Sequence, residues 1–74
     1  MIIWSQDGSF FIYLEQCQCI GIEEAKDEID GTIYYDICAD EKILGEVNTF
    51  DEAKAVLVKI AAAFKSALVD VDPW

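Results

Sequence analysis

The stretch that decides the fold class runs from Thr49 to Leu68 and reads TFDEAKAVLVKIAAAFKSAL. Its first four residues form a capping box, in which the Thr49 hydroxyl and the Glu52 carboxylate can satisfy free N–H groups at a helix start. Apolar residues then recur at helical spacing, which predicts a helix over about residues 50–68 with one apolar stripe. The members of this stripe are Ala53, Val56, Leu57, Ile60, Ala61, Phe64 and Leu68.

The residues before this helix read as short β-strands separated by turn signals. Asp7-Gly8-Ser9 separates two β-branched and aromatic runs and predicts a hairpin, and Asp30-Gly31 predicts a second turn. Pro73 bars further helix, so residues 69–74 are expected to form an extended tail. We therefore expect a single α+β domain over residues 1–74, with one antiparallel sheet of four to five strands packed on the C-terminal helix. The predicted strands are 2–6, 10–15, 18–24, 32–39 and, at the sheet edge, 43–47.

The charge balance is the most informative feature of the composition. Fifteen Asp and Glu residues face five lysines, with no arginine and no histidine, which gives a net charge of −10. Nucleic-acid binding needs basic groups to replace counterions at phosphates, so direct DNA or RNA binding is not expected. A host protein with a basic surface is the electrostatically natural partner, although the same acidity can simply keep a small apolar chain in solution.

The hydrophobic content argues for a packed core and against a membrane protein. The chain is 54% hydrophobic, well above the level of a disordered acidic segment. No apolar run approaches the ~20 residues of a membrane span, and the first residues lack the pattern of a signal peptide. We therefore expect no membrane association and a cytoplasmic protein.

The residue types that usually carry chemistry are missing or poorly matched. Without histidine there is no ordinary general base at neutral pH, so we expect no enzyme, no catalytic residue and no cofactor. Cys17 and Cys19 share a strand face and Cys38 can lie near them, but a structural zinc site needs four ligands. We interpret the three cysteines as small apolar residues in a reducing compartment, and expect no metal site.

An acidic cluster surrounds the second predicted turn and is the candidate partner-binding surface. A basic partner can dock on it if the turn is an exposed hairpin tip. The alternative is a solvated tip without a binding role. The cluster consists of Glu23, Glu24, Asp27, Glu28 and Asp30.

Aromatic and apolar residues lie on both faces of the second and fourth predicted strands. Such two-sided strands in a short chain need further cover, which favours a homo-oligomer, most simply a dimer. The alternative is that the C-terminal tail folds back over the open face. The aromatic residues considered for an interface or a ligand pocket are Trp4, Tyr13, Tyr34, Tyr35 and Trp74.

Both ends of the chain resemble a family of very small proteins found in Gram-positive bacteria, their prophages and their phages. The similar segments are Trp4-Ser5-Gln6-Asp7-Gly8 and Leu44-Gly45-Glu46-Val47-Asn48-Thr49, the second of which leads into 52–57. In that family a Met-Trp and Ser-Gln-Asp start is followed by a Leu-Gly-x-aromatic-x-Thr turn into a helix. Here Val47 takes the aromatic position. The resemblance implies an accessory protein of a mobile element, and it implies no catalytic residue.

Three functional hypotheses follow from these features. The first is a phage or prophage counter-defence protein that occludes a basic face of a host protein through its acidic surface. The second is an oligomer that sequesters a small nucleotide-type signalling molecule in an aromatic pocket. The third is a structural or assembly protein without a soluble ligand.

Overall fold

The computed structural model describes residues 1–66 and 70–74. Between β2 and β3 the chain passes through a short 3₁₀ turn at Leu14–Gln16. The elements in chain order are β1 (Ile2–Trp4), β2 (Phe11–Tyr13), β3 (Ile20–Lys26), β4 (Ile33–Ala39), β5 (Lys42–Val47), α1 (Phe50–Lys65) and β6 (Asp70–Val71).

The described strands form two three-stranded sheets. In the first, β1 lies between an antiparallel β2 and a parallel β6; in the second, β3, β4 and β5 form an antiparallel meander with β5 at an edge. The α+β class is therefore confirmed. The expected single sheet is instead divided in two, because β3 pairs with neither β1 nor β2 and β6 occupies the second edge of β1. A hydrogen bond from the Gln6 N–H to the Leu44 carbonyl joins the two sheets at β5.

Both predicted turns are present, and each contains a glycine in the left-handed region. Gly8 has φ 73° between β1 and β2, and Gly31 has φ 77° between β3 and β4. The Asp7 carboxylate accepts hydrogen bonds from the Ser9 hydroxyl, the Ser9 N–H and the Ser5 hydroxyl, which lower the pKa of Asp7 to about 2. The first hairpin is thus held by side-chain as well as backbone bonds.

Helix α1 begins where the capping box places it. Thr49 Oγ1 accepts from the Glu52 N–H at 3.1 Å, and Glu52 Oε2 accepts from the Asn48 N–H at 3.4 Å. The helix is described to Lys65, and the predicted end at Leu68 falls outside the described residues. Within the described parts of the chain, no helix is both long and apolar enough to cross a membrane.

Removing the cap should weaken the protein measurably. Thr49→Ala deletes the acceptor for the Glu52 N–H, so we expect the free energy of unfolding to fall by about 1 kcal/mol. Urea denaturation followed by circular dichroism measures this loss. Thr49→Ser keeps the hydroxyl and is the matched control, so equal losses for the two variants would show that the cap contributes nothing.

The core lies between the second sheet on one side and helix α1 with the first sheet on the other. Ile37 of β4 and Ile3 of β1 are fully buried, and α1 contributes Ala53, Val56, Ile60 and Ala63. The predicted apolar stripe was therefore wrong at two described positions, because Ala61 is exposed and the Phe64 side chain is 56% exposed.

The C-terminal tail folds back onto the first sheet. Asp70–Val71 forms β6, so the predicted extended conformation is present there, and residues 72–74 lie outside any helix or strand. Pro73 is fully buried, and the Trp74 indole N–H donates to the Trp4 carbonyl at 2.9 Å. The Trp74 ring lies over Gly45 of β5, so the tail ties the two sheets together.

Candidate functional site

Three carboxylates stand side by side across the second sheet. Glu23 of β3 is paired with Asp36 of β4, and Asp36 is paired with Glu46 of β5. Directly opposed residues of antiparallel strands point to the same face, so the three side chains form one line, here called the carboxylate row. Because side chains alternate along a strand, the row lies on the face opposite to Ile37 and the core.

Asp36 is the central and most buried member of the row. Its residue surface is only 8% exposed. Within residues 1–66 and 70–74, its carboxylate forms no hydrogen bond and no ion pair, and its oxygens stay in contact with solvent. Burial raises the pKa of Asp36, and the neighbouring carboxylates of Glu46 and Glu23 raise it further. A partly desolvated negative charge is therefore held between two others.

Tyr34 and Cys38 flank Asp36 on the same face of β4. The Cys38 thiol donates to Glu23 Oε2 at 3.6 Å. Burial raises the pKa of this thiol, and the hydrogen bond to Glu23 and the charge of Glu23 raise it further. Burial likewise raises the pKa of the Tyr34 phenol, with Asp36, Glu46 and Asp27 adding to the effect. Both groups therefore stay protonated and neutral at physiological pH. The face offers acceptors and a neutral aromatic ring, and it offers no thiolate nucleophile at Cys38.

The like charges of the row should cost stability. Asp36→Asn removes two directly opposed carboxylate pairs, so we expect the free energy of unfolding at pH 7 to rise by about 1 kcal/mol. The raised pKa of Asp36 means that the folded state favours its protonated form. The ionised group therefore destabilises the fold above this pKa, and its cost disappears as pH falls through it.

The measurement is denaturant unfolding of both proteins between pH 7 and pH 4. The advantage of Asp36→Asn should shrink as the pH falls, since wild-type Asp36 becomes neutral. A variant that is less stable than wild type at pH 7, or an advantage that grows on acidification, would contradict this assignment of the charge.

The predicted acidic cluster is divided by the structure into members with different roles. Asp27 Oδ1 accepts from the backbone N–H groups of Ile29 and Asp30, and Asp30 Oδ1 accepts from the Thr32 N–H, so these carboxylates build the β3–β4 turn. Glu24 accepts from the Tyr35 hydroxyl at 3.4 Å, while Glu28 is exposed at the tip. Glu23 belongs to the carboxylate row and not to the tip.

Asp36 and Glu46 were missed by the sequence analysis. A signal for Asp36 was present, because it interrupts the apolar run Ile33-Tyr34-Tyr35-Asp36-Ile37, where an unneeded carboxylate would be costly. Glu46 carried no such signal. Its place beside Asp36 depends on the β-bulge between Ile37 and Cys38, which fixes the register with β5.

The lysines of the chain form no ion pair with the carboxylate row in the described residues. Among the described residues, the single ion pair joins the amino group of Met1 to Glu15. Lys42 Nζ lies 5.8 Å from the centre of the Phe10 ring, and Lys54 Nζ lies 5.8 Å from that of Phe50. The acidic surface is therefore open to a cation from outside the chain.

The candidate aromatic residues do not converge on one pocket within the chain. Trp4 and Tyr13 lie on the exposed face of the first sheet, Tyr34 flanks the carboxylate row, and Tyr35 packs on Phe50 with ring centres 5.8 Å apart. The Trp74 ring packs over Gly45 and is part of the fold. An aromatic ligand pocket built from this set would need more than one chain.

The first sheet instead carries a ladder of edge-to-face aromatic rings. Phe11 lies between Trp4, at 5.2 Å between ring centres, and Tyr13, at 5.6 Å. The three side chains are 37–47% exposed. Here called the aromatic ladder, they form an apolar surface on the face of β1 and β2 opposite to the buried Ile3 and Ile12.

The cysteines stay apart from any metal-binding arrangement in the described residues. Cys17, Cys19 and Cys38 are free thiols, and burial raises the pKa of Cys17. In residues 1–66 and 70–74, no group of three or more Cys, Asp or Glu side chains is arranged to hold a metal ion. A mainly apolar groove of about 510 Å³ does lie beside Cys17, between the 3₁₀ turn and the end of α1, where Leu57 and Phe64 line it.

Comparisons of the chain with models of protein families, with curated proteins and with solved structures found no match.

Proposed function

We propose that the protein is a non-catalytic acidic binding protein that occludes a basic surface of a host protein. The observation that carries this proposal is the carboxylate row, which holds three like charges in register and forms no ion pair with the described residues of the chain. Directly opposed like charges destabilise a sheet, so their presence is better explained by a partner than by folding. The net charge of −10 adds long-range attraction to a basic partner.

The proposal includes the setting of a phage or prophage accessory protein with a counter-defence role. This part depends on the resemblance of residues 4–8 and 44–57 to small proteins of Gram-positive bacteria and their phages. The lack of histidine in the sequence and the raised pKa values of Cys17 and Cys38 favour binding over catalysis.

The test is a pull-down from a Gram-positive host lysate, followed by binding measurements with the recovered protein at increasing salt. Exposed charge attraction is screened over about 8–10 Å near physiological ionic strength, so affinity should fall as salt rises. Glu24→Lys with Glu28→Lys should slow association, since rim charges act mainly on the on-rate. Asp27 and Asp30 are kept because they build the turn.

Glu41→Lys with Asp51→Lys is the matched control, because it makes the same change in net charge at exposed positions outside the carboxylate row and the β3–β4 turn. Affinity that is indifferent to salt and to the Glu24 and Glu28 reversals would contradict the acidic-surface mechanism. Native mass spectrometry of the same preparations tests the alternative, a sequestered small molecule.

We also propose that the protein is a homo-oligomer, most simply a dimer, that associates through the aromatic ladder. Three partly exposed rings on one sheet face form the type of apolar surface that usually marks an interface. Sedimentation at ~100 µM should show a dimer, because stable interfaces hold well below this concentration. Phe11→Ser should return the protein to a monomer, and a monomeric wild type would contradict the proposal.

A further inference from the structure

A carboxylate at the surface of a sheet that has neither a cation nor a hydrogen-bond donor beside it depends on water alone for its solvation. Asp36 is such a group: its residue surface is 8% exposed, its carboxylate oxygens reach the surface without a hydrogen bond from a described residue, and Glu23 and Glu46 lie on either side. We propose that the carboxylate row is a socket for one arginine side chain of the partner protein, in which Asp36 makes the central contact. This inference rests on the proposed function.

The geometry favours a guanidinium over a metal ion. Neighbouring strands are about 4.8 Å apart, so the row extends over about 10 Å. That span is too wide for the close coordination of one ion, in agreement with the lack of a metal-binding group in the described residues. A guanidinium is planar, carries five N–H donors and can bind Asp36 bidentately while its outer donors reach Glu23 and Glu46.

Tyr34 favours arginine over lysine. It lies two residues before Asp36 on the same face of β4, next to the row. Guanidinium groups stack on aromatic rings, whereas an ammonium is a compact and strongly hydrated charge. Cys38, on the other side of Asp36, already donates to Glu23 and leaves the Asp36 carboxylate free.

The test uses blocked tripeptides as probes and the amide chemical shifts of the ¹⁵N-labelled full chain as the readout. Acetyl-Gly-Arg-Gly-amide should produce saturable shifts centred on Glu23, Asp36 and Glu46. The lysine peptide should bind several-fold more weakly, and the citrulline peptide, which has the same shape without the charge, should produce no saturable shift. Competition by free salt should weaken the arginine peptide without moving its site.

Two variants with the same change in net charge separate the socket from general acidity. Asp36→Asn should weaken the arginine peptide roughly tenfold or more, since truncating one partner of a buried charge pair has large effects. Glu41→Gln, at the exposed β4–β5 turn, should leave its affinity within about twofold, as expected for a rim charge. Glu23→Gln and Glu46→Gln should each give an intermediate loss.

Shifts spread evenly over the acidic surface, or equal affinities for Asp36→Asn and Glu41→Gln, would overturn the socket. These outcomes are distinct from a failure of the proposed function. A recovered partner that binds in a salt-dependent manner, equally well to both variants, would leave the acidic binding protein in place and remove only the arginine socket. A partner indifferent to salt would remove the proposed function itself.

Discussion

Ile60→Ala is expected to lower the free energy of unfolding by about 2–5 kcal/mol, the range measured for large-to-small changes in protein cores. Ile60 is 3% exposed and is the last large core side chain described on α1 before Ala63. A domain of this size has a total stability of only about 4–11 kcal/mol, so the loss is a large share of it. Urea denaturation followed by circular dichroism gives the value directly.

Phe64→Ala is the matched control, one helical turn further along α1. Its side chain is 56% exposed, so deleting it should cost less than about 1 kcal/mol. A loss for Phe64→Ala as large as that for Ile60→Ala would contradict the exposed position of Phe64 and would show that both residues are core, as the sequence-based stripe predicts.

Gly45→Ala should be the second large loss, about 1–3 kcal/mol, because the position has no room for a methyl group. A Cβ atom there would lie 2.6 Å from Gln6 Cβ and 2.9 Å from Trp74 Cη2. Neither neighbour can simply rotate away, since Gln6 Oε1 accepts from the Glu46 N–H and the Trp74 indole is bonded to the Trp4 carbonyl. The strain should therefore be shared by both sheets and the tail.

Gly21→Ala is the control for this substitution. Gly21 is also a strand glycine, with an ordinary φ, and a Cβ there would meet no atom within 4 Å. It should be neutral or slightly stabilising, since alanine restricts the unfolded chain more than glycine does. Equal effects of the two substitutions would contradict the close packing of Trp74 on β5.

The local features of the fold were predictable because each depends on a few adjacent residues. Thr49 and Glu52 fix the start of α1, and Gly8 and Gly31 take the positive φ values that their turns require. The pairing of β1 with β6 joins residues almost seventy positions apart, through strands of two and three residues. Strands this short have too little pattern to indicate their neighbours.

Burial along α1 was only partly predictable for a related reason. Helical spacing places Val56, Ile60 and Phe64 on one broad stripe, but the width of the partner surface decides which of them is covered. Val56 and Ile60 are buried in the core, whereas Phe64 lines an open groove at the end of α1.

The carboxylate row was the least predictable feature because it depends on the pairing register of β3, β4 and β5. Glu23, Asp36 and Glu46 are spread over three strands, and a shift of one residue in either pairing would send one of them to the core face. The sequence analysis selected the acidic residues that are close together in the sequence. Two of these, Asp27 and Asp30, accept backbone hydrogen bonds that stabilise the β3–β4 turn. Charge density along the chain indicated an acidic surface without locating its centre.

The dissociation constant of the recovered partner, measured for wild type and for a triple variant with Glu23→Gln, Asp36→Asn and Glu46→Gln, tests the central claim most directly. The comparison is made at low and at physiological ionic strength, where the screening length falls from about 30 Å to about 8 Å. We expect the triple variant to fold and to lose most of its affinity at both salt concentrations, while wild type binds more tightly at low salt. Unchanged affinity of the triple variant would contradict binding through the carboxylate row.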